Sequence, residues 1–122
     1  MSRSVIALAA VTALALSNVT AFAHAELASA NPPANGTVKA APTEVSITFT
    51  EEVEPKFSNI EVLNDKNQRV EQGKAQTLPN DAKTLHIAVK PLTAGIYKVI
   101  WQAVSSDDSH KTKGTYEFTI KP

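Results

Sequence analysis

Hydrophobic and polar positions alternate with period two through most of this chain, the pattern of strands that bury one face. Val45, Ile47 and Phe49 alternate with Ser46, Thr48 and Thr50. Ile60 and Val62 alternate with Asn59 and Glu61, and Asn64-Asp65-Lys66-Asn67 then reads as a turn. Leu85, Ile87 and Val89 share one face of the next strand, with His86 and Ala88 on the other. Tyr97, Val99, Trp101 and Ala103 share a face in a longer strand; Ile96 and Ile100 lie opposite, so the pattern predicts a strand covered on both sides. Tyr116, Phe118 and Ile120 alternate with Thr115, Glu117 and Thr119. A sixth strand is expected over residues 26–30, while residues 68–82 are weakly patterned and fit either a strand or a loop. No stretch has helical periodicity of useful length. Pro32-Pro33, Asn35-Gly36, Pro42, Pro55, Gly73, Pro79 and Gly95 punctuate the chain at intervals typical of a sandwich. The expected fold is all-β: a single immunoglobulin-like domain, a Greek-key β-sandwich or barrel.

The first 23 residues follow a different logic. Arg3 precedes an apolar run over residues 5–16, and Ala21-Phe22-Ala23 is a small-x-small cleavage signature. The run is shorter than the roughly 20 residues that a membrane-spanning helix requires. Residues 1–23 therefore read as a cleaved secretory signal peptide, and residues 24–122 as the working domain. Removing 23 of 122 residues leaves 99, beginning at His24. No direct membrane insertion is expected after cleavage.

Composition narrows the chemistry. The full chain has a formal net charge of zero, no cysteine and one methionine, Met1. Without cysteine there is no disulfide framework, thiolate zinc finger, iron–sulfur cluster or blue-copper thiolate. A neutral balance gives no electrostatic reason to expect nucleic acid as a partner. Once Met1 leaves with the signal peptide the domain has no sulfur at all, so any metal it holds is bound by nitrogen and oxygen.

Three histidines are available. His86 is out of phase with the apolar face of its strand and reads as a surface residue. His110 follows Asp108 by two positions in Ser105-Ser106-Asp107-Asp108-Ser109-His110. In an extended segment, residues i and i+2 point to the same side about 6–7 Å apart, within reach of one ion. His24 adds weight. After cleavage behind Ala23, its α-amine and its imidazole Nδ1 would form a chelate on one metal ion. With His110 and Asp108 this makes three nitrogens and one carboxylate, a set suited to tetragonal Cu(II). Such nitrogens must be deprotonated to bind, and their ordinary pKa values are about 7.7–8.0 for an α-amine and about 6.5 for an imidazole. Affinity is therefore expected to weaken as pH falls.

Four ordered blocks carry a family resemblance. His24-Ala25-Glu26-Leu27 with Ser29-Ala30-Asn31-Pro32-Pro33-Ala34-Asn35-Gly36 resembles the opening of the CopC family of periplasmic copper-resistance proteins. Ile47-Thr48-Phe49-Thr50-Glu51 with Val53-Glu54-Pro55 and Phe57-Ser58 is similar to its second block. Leu92 to Val99 with Trp101 to Ser106, then Asp108-Ser109-His110 and Gly114-Thr115-Tyr116-Glu117-Phe118, resembles its C-terminal half. The resemblance implies an immunoglobulin-like domain that binds one Cu(II) per mature chain through His24, Asp108 and His110. It adds Glu51 as an outer contact. Asp107 is one residue more than some members have in this loop, which leaves it a competitor to Asp108. It also implies a periplasmic, non-enzymatic and monomeric carrier for copper ion, with a CopD-type inner-membrane transporter as delivery partner. Some members hold a second, Cu(I) site built from methionines; thioethers suit Cu(I), and a sulfur-free mature chain is expected to lack it.

Two other functions fit part of the pattern. Lytic polysaccharide monooxygenases also use an N-terminal histidine brace, but Trp101 falls in a strand pattern that reads as core and offers no aromatic platform for a polysaccharide. A metal-free sandwich serving adhesion or assembly becomes the better reading if His24 and His110 lie far apart.

Overall fold

Strands with one apolar face become stable when two sheets close those faces on each other. The computed structural model describes residues 24–122, and the predicted signal peptide lies outside the described residues. The first sheet orders β1 (Leu27–Asn31), β3 (Glu44–Phe49), β6 (Asp81–Val89) and β5 (Glu71–Leu78). The second orders β2 (Thr37–Val38), β8 (Lys111–Ile120), β7 (Gly95–Val104) and β4 (Asn59–Leu63). Neighbours run antiparallel except β2 and β8. The only helical element among the described residues is a 3-10 turn at Pro55–Phe57, and no helix among them is long and apolar enough to cross a membrane.

The alternation set out above becomes the core. Val45, Ile47 and Phe49 of β3 and Leu85, Ile87 and Val89 of β6 face Ile60 and Val62 of β4, the Tyr97 to Ala103 face of β7, and Tyr116, Phe118 and Ile120 of β8, all buried. Phe49 meets Trp101 edge to face at 5.1 Å, and Tyr97 stacks on Phe118 at 5.3 Å. These aromatic pairs lock the two sheets together through favourable ring geometry as well as buried area. Trp101 is thus a core residue. Burial also raises the pKa of the Tyr116 phenol, whose oxygen has no hydrogen-bond partner.

Three features depart from the pattern. The outer face of β7 is open, with Ile96 51% exposed, because a two-layer sandwich has no third layer to cover it. Residues 68–82 contain β5, a polar edge strand in which only Ala75 is buried. Its register shifts between Gln72 and Gln76, around Gly73, so no clean alternation could mark it. Strand β8 starts at Lys111, well before its apolar run, because the inward positions there are Thr112 and Gly114. Gly114 lies directly beneath the indole of Trp101.

The same end of the sandwich gathers the start of β1, the end of β3 and the β7–β8 connection. Leu27 pairs with Phe49 and Val104 with Lys111. The segment after β3 joins this end as well: Val53 bridges to Ser105, and Ser106 N–H donates to the carbonyl of Glu52 at 3.0 Å.

Candidate metal site

The loop that carries Asp108 and His110 closes around one buried serine. Ser105 is 1% exposed. Its N–H donates to the carbonyl of His110 at 2.9 Å, and its carbonyl accepts from Ser109 N–H at 3.0 Å. Its hydroxyl accepts from Asp107 N–H at 3.3 Å. Ser109 adopts a left-handed conformation, φ 59°, which turns the chain sharply enough for His110 to enter β8. Polar residues fill such a loop because their short side chains can replace backbone partners.

Asp108 is part of this closure. Its Oδ1 accepts from the backbone N–H of His110 at 3.0 Å. That bond, aided by the Ser105 hydroxyl, holds the Asp108 carboxyl below the usual carboxylate range. The sign follows from linkage: a depressed carboxyl contributes to loop stability above the ordinary Asp pKa of about 3.9, and the contribution fades as pH falls through the lower, folded value. An NMR titration of the metal-free protein is therefore expected to place the Asp108 midpoint below about 3.9, with the His110 amide shift following it.

The N-terminal segment reaches the loop from the other side. Thr50 N–H donates to the carbonyl of Glu26 at 2.8 Å, extending the β1–β3 ladder. The Thr50 hydroxyl accepts from Glu26 N–H at 3.0 Å and donates to the carbonyl of His24 at 3.2 Å. On the opposite side, Thr112 Oγ1 donates to the carbonyl of Ala25 at 2.6 Å. Ala25 itself is fully buried.

These contacts bring two of the candidate ligands together. The rings of His24 and His110 stack with centroids 3.6 Å apart and planes 6° from parallel, although 85 residues separate them in the chain. Glu51 follows Thr50 directly, at the same end of the sandwich. Among the described residues, no group of three or more His, Cys, Asp or Glu side chains stands ready to enclose a metal ion. The geometry explains why. An imidazole coordinates through a lone pair in its own plane, so two parallel rings cannot both aim at one ion until one turns out of the stack. Asp108 is likewise turned toward backbone. His86 lies apart, on the outer face of the first sheet, with Nδ1 3.1 Å from Glu44 Oε1.

Comparison with known proteins decides the family. A CopC domain model matches residues 27–121. The chain belongs to the CopC family. Among its CopC relatives, copper resistance protein C of Xanthomonas campestris pv. juglandis is 34% identical over 125 residues, covering 98% of this chain and 97% of that protein. Protein YobA of Escherichia coli K12 is 39% identical over 101 residues, 82% of this chain and 81% of that one. The crystal structure of PcoC, a methionine-rich copper resistance protein from Escherichia coli, superimposes with a TM-score of 0.70 at 37% identity, covering 81% of this chain and all of that one. The CopC family makes this a copper-resistance type domain and supports copper as its metal. Unlike the methionine-rich relative, this CopC chain has a single methionine, Met1.

Thr50 and Thr112 were not marked as site residues by sequence patterning. One signal was available: Thr112 is in phase with Tyr116, Phe118 and Ile120, so a hydroxyl occupies a position where the pattern calls for an apolar side chain.

Proposed function

We propose that the chain is a periplasmic Cu(II) carrier, released from its signal peptide by cleavage after Ala23, that binds one ion and takes part in copper sequestration or delivery. The observation that carries this reading is the stacked His24–His110 pair. The ligands are the α-amine and imidazole of His24, the imidazole of His110 and the carboxylate of Asp108, with Glu51 as an outer contact. Loading unstacks the rings and turns Asp108 from the His110 N–H toward the ion. Nitrogen and carboxylate donors suit Cu(II), and the absence of sulfur from residues 24–122 argues against a thioether Cu(I) site. The role is binding without catalysis, and delivery runs to a CopD-type membrane transporter.

Titration of the secreted protein with Cu(II), followed by electron paramagnetic resonance, tests this directly. One equivalent is expected to bind with a tetragonal spectrum showing nitrogen hyperfine structure, and Cu(I) is expected to bind far more weakly. Tight Cu(I) binding, or a Cu(II) spectrum unchanged by His110→Ala, would sink the assignment.

A further inference from the structure

The segment that presents His24 is stitched to both sheets at once. In extended backbone successive carbonyls point to opposite sides, and here each meets a threonine from a different sheet. The His24 carbonyl accepts from Thr50, just past β3, at 3.2 Å. The Ala25 carbonyl accepts from Thr112 of β8 at 2.6 Å. Thr50 also accepts from Glu26 N–H, so a single oxygen bridges residues 24 and 26. Between these bonds the Ala25 methyl is sealed into the core, 0% exposed.

We propose that Thr112 and Thr50 are positioning residues for the copper site, Thr112 setting the separation of His24 from His110 and Thr50 the orientation of the His24 peptide. The inference rests on His24 and His110 being copper ligands. Thr112 lies two residues beyond His110 on the same strand, and Ala25 directly follows His24. Their bond therefore ties the two ligand-bearing backbones together within two residues of each ring, leaving little but the histidine side-chain torsions free. A fixed spacing matters because coordination geometry is set by ligand placement, and the groups that orient ligands tune both affinity and electronic structure. The inward position of the Thr112 hydroxyl fits this role, since the carbonyl it serves belongs to a buried residue and needs a partner from within the protein.

The test uses protein secreted from the full chain, with Cu(II) as probe. Thr112→Val is expected to weaken binding about 10-fold per folded molecule, the equivalent of losing one hydrogen bond from the bound geometry, and Thr50→Val about 3-fold. Both should alter the copper hyperfine splitting, and Thr112→Ser should restore affinity and spectrum. A purely structural threonine would lower the melting temperature while leaving affinity and spectrum unchanged, and that result for Thr112→Val overturns the proposal. Should Thr112→Val fail to fold, Thr50→Val carries the test under the same criterion. His110→Ala separates the two levels. If it retains tight copper binding, the ligand assignment fails; if it loses copper while Thr112→Val does not, only the positioning role fails.

Discussion

A protein carrying one extra residue ahead of His24 is expected to bind Cu(II) at least ~100-fold more weakly than one that begins there, at or beyond the loss seen when groups orienting a ligand are removed. The extension converts the α-amine into a peptide nitrogen, which gives up its proton far less readily. It also dismantles the chelate ring, so the imidazole of His24 would have to bind alone. Fold stability is expected to stay within about 0.5 kcal/mol, the usual range for surface changes. The contacts that secure this segment use the carbonyls of His24 and Ala25, the N–H and carbonyl of Glu26 and the buried Ala25 methyl; none uses the amine. Matched melting temperatures and Cu(II) competition titrations of the two forms check the prediction. Equal affinities would remove the amine from the ligand set. In both forms affinity should fall as pH falls, because protons compete for the ligand nitrogens, whereas Asp108, held below the usual carboxylate range by the His110 N–H, stays ionised in mild acid.

The largest expected effect on stability lies beneath the only tryptophan. A Cβ added at Gly114 would run into the Trp101 indole, against Cζ2 and 2.7 Å from Cε2. The indole is buried and meets Phe49 edge to face, so it has little room to retreat. Gly114→Ala is therefore expected to cost about 1–3 kcal/mol through overpacking, even though alanine is the better strand residue. For a domain of this size that lowers the melting temperature by roughly 4–8 °C per kcal/mol. The cost should largely vanish when Trp101 is also replaced by leucine, because the two changes share one contact. Thermal unfolding of the four variants in that cycle measures the coupling; a Gly114→Ala penalty that persists without the indole would contradict the account.

Much of the fold is legible in the chain because burial on one face of a strand writes itself as period-two alternation. The apolar runs of β3, β4, β6, β7 and the second half of β8 all lie where that alternation puts them, and Trp101 is in the core as its phase requires. The exceptions share a cause. Strand β5 has a solvent-facing edge and little need for apolar residues, the outer face of β7 is apolar without being covered, and the first residues of β8 are small or polar to admit Trp101 and the His24 segment. In each case a neighbour in space sets the requirement, and the local pattern carries no mark of it.

The candidate site divides along the same line. The chain by itself determined the available chemistry: three histidines, no sulfur beyond Met1, and an Asp-x-His element whose spacing keeps both groups on one side. Those are properties of residue type and of short separations, which backbone geometry converts directly into chemistry. Only the tertiary structure decided that His24 and His110 meet, that Asp108 is folded back on the His110 N–H, and that Thr50 and Thr112 grip the segment between them. The physical reason is the distance along the chain. The bonds to Thr50 and Thr112 span 26 and 87 residues, and they form because the order of strands in two sheets brings their ends to one place.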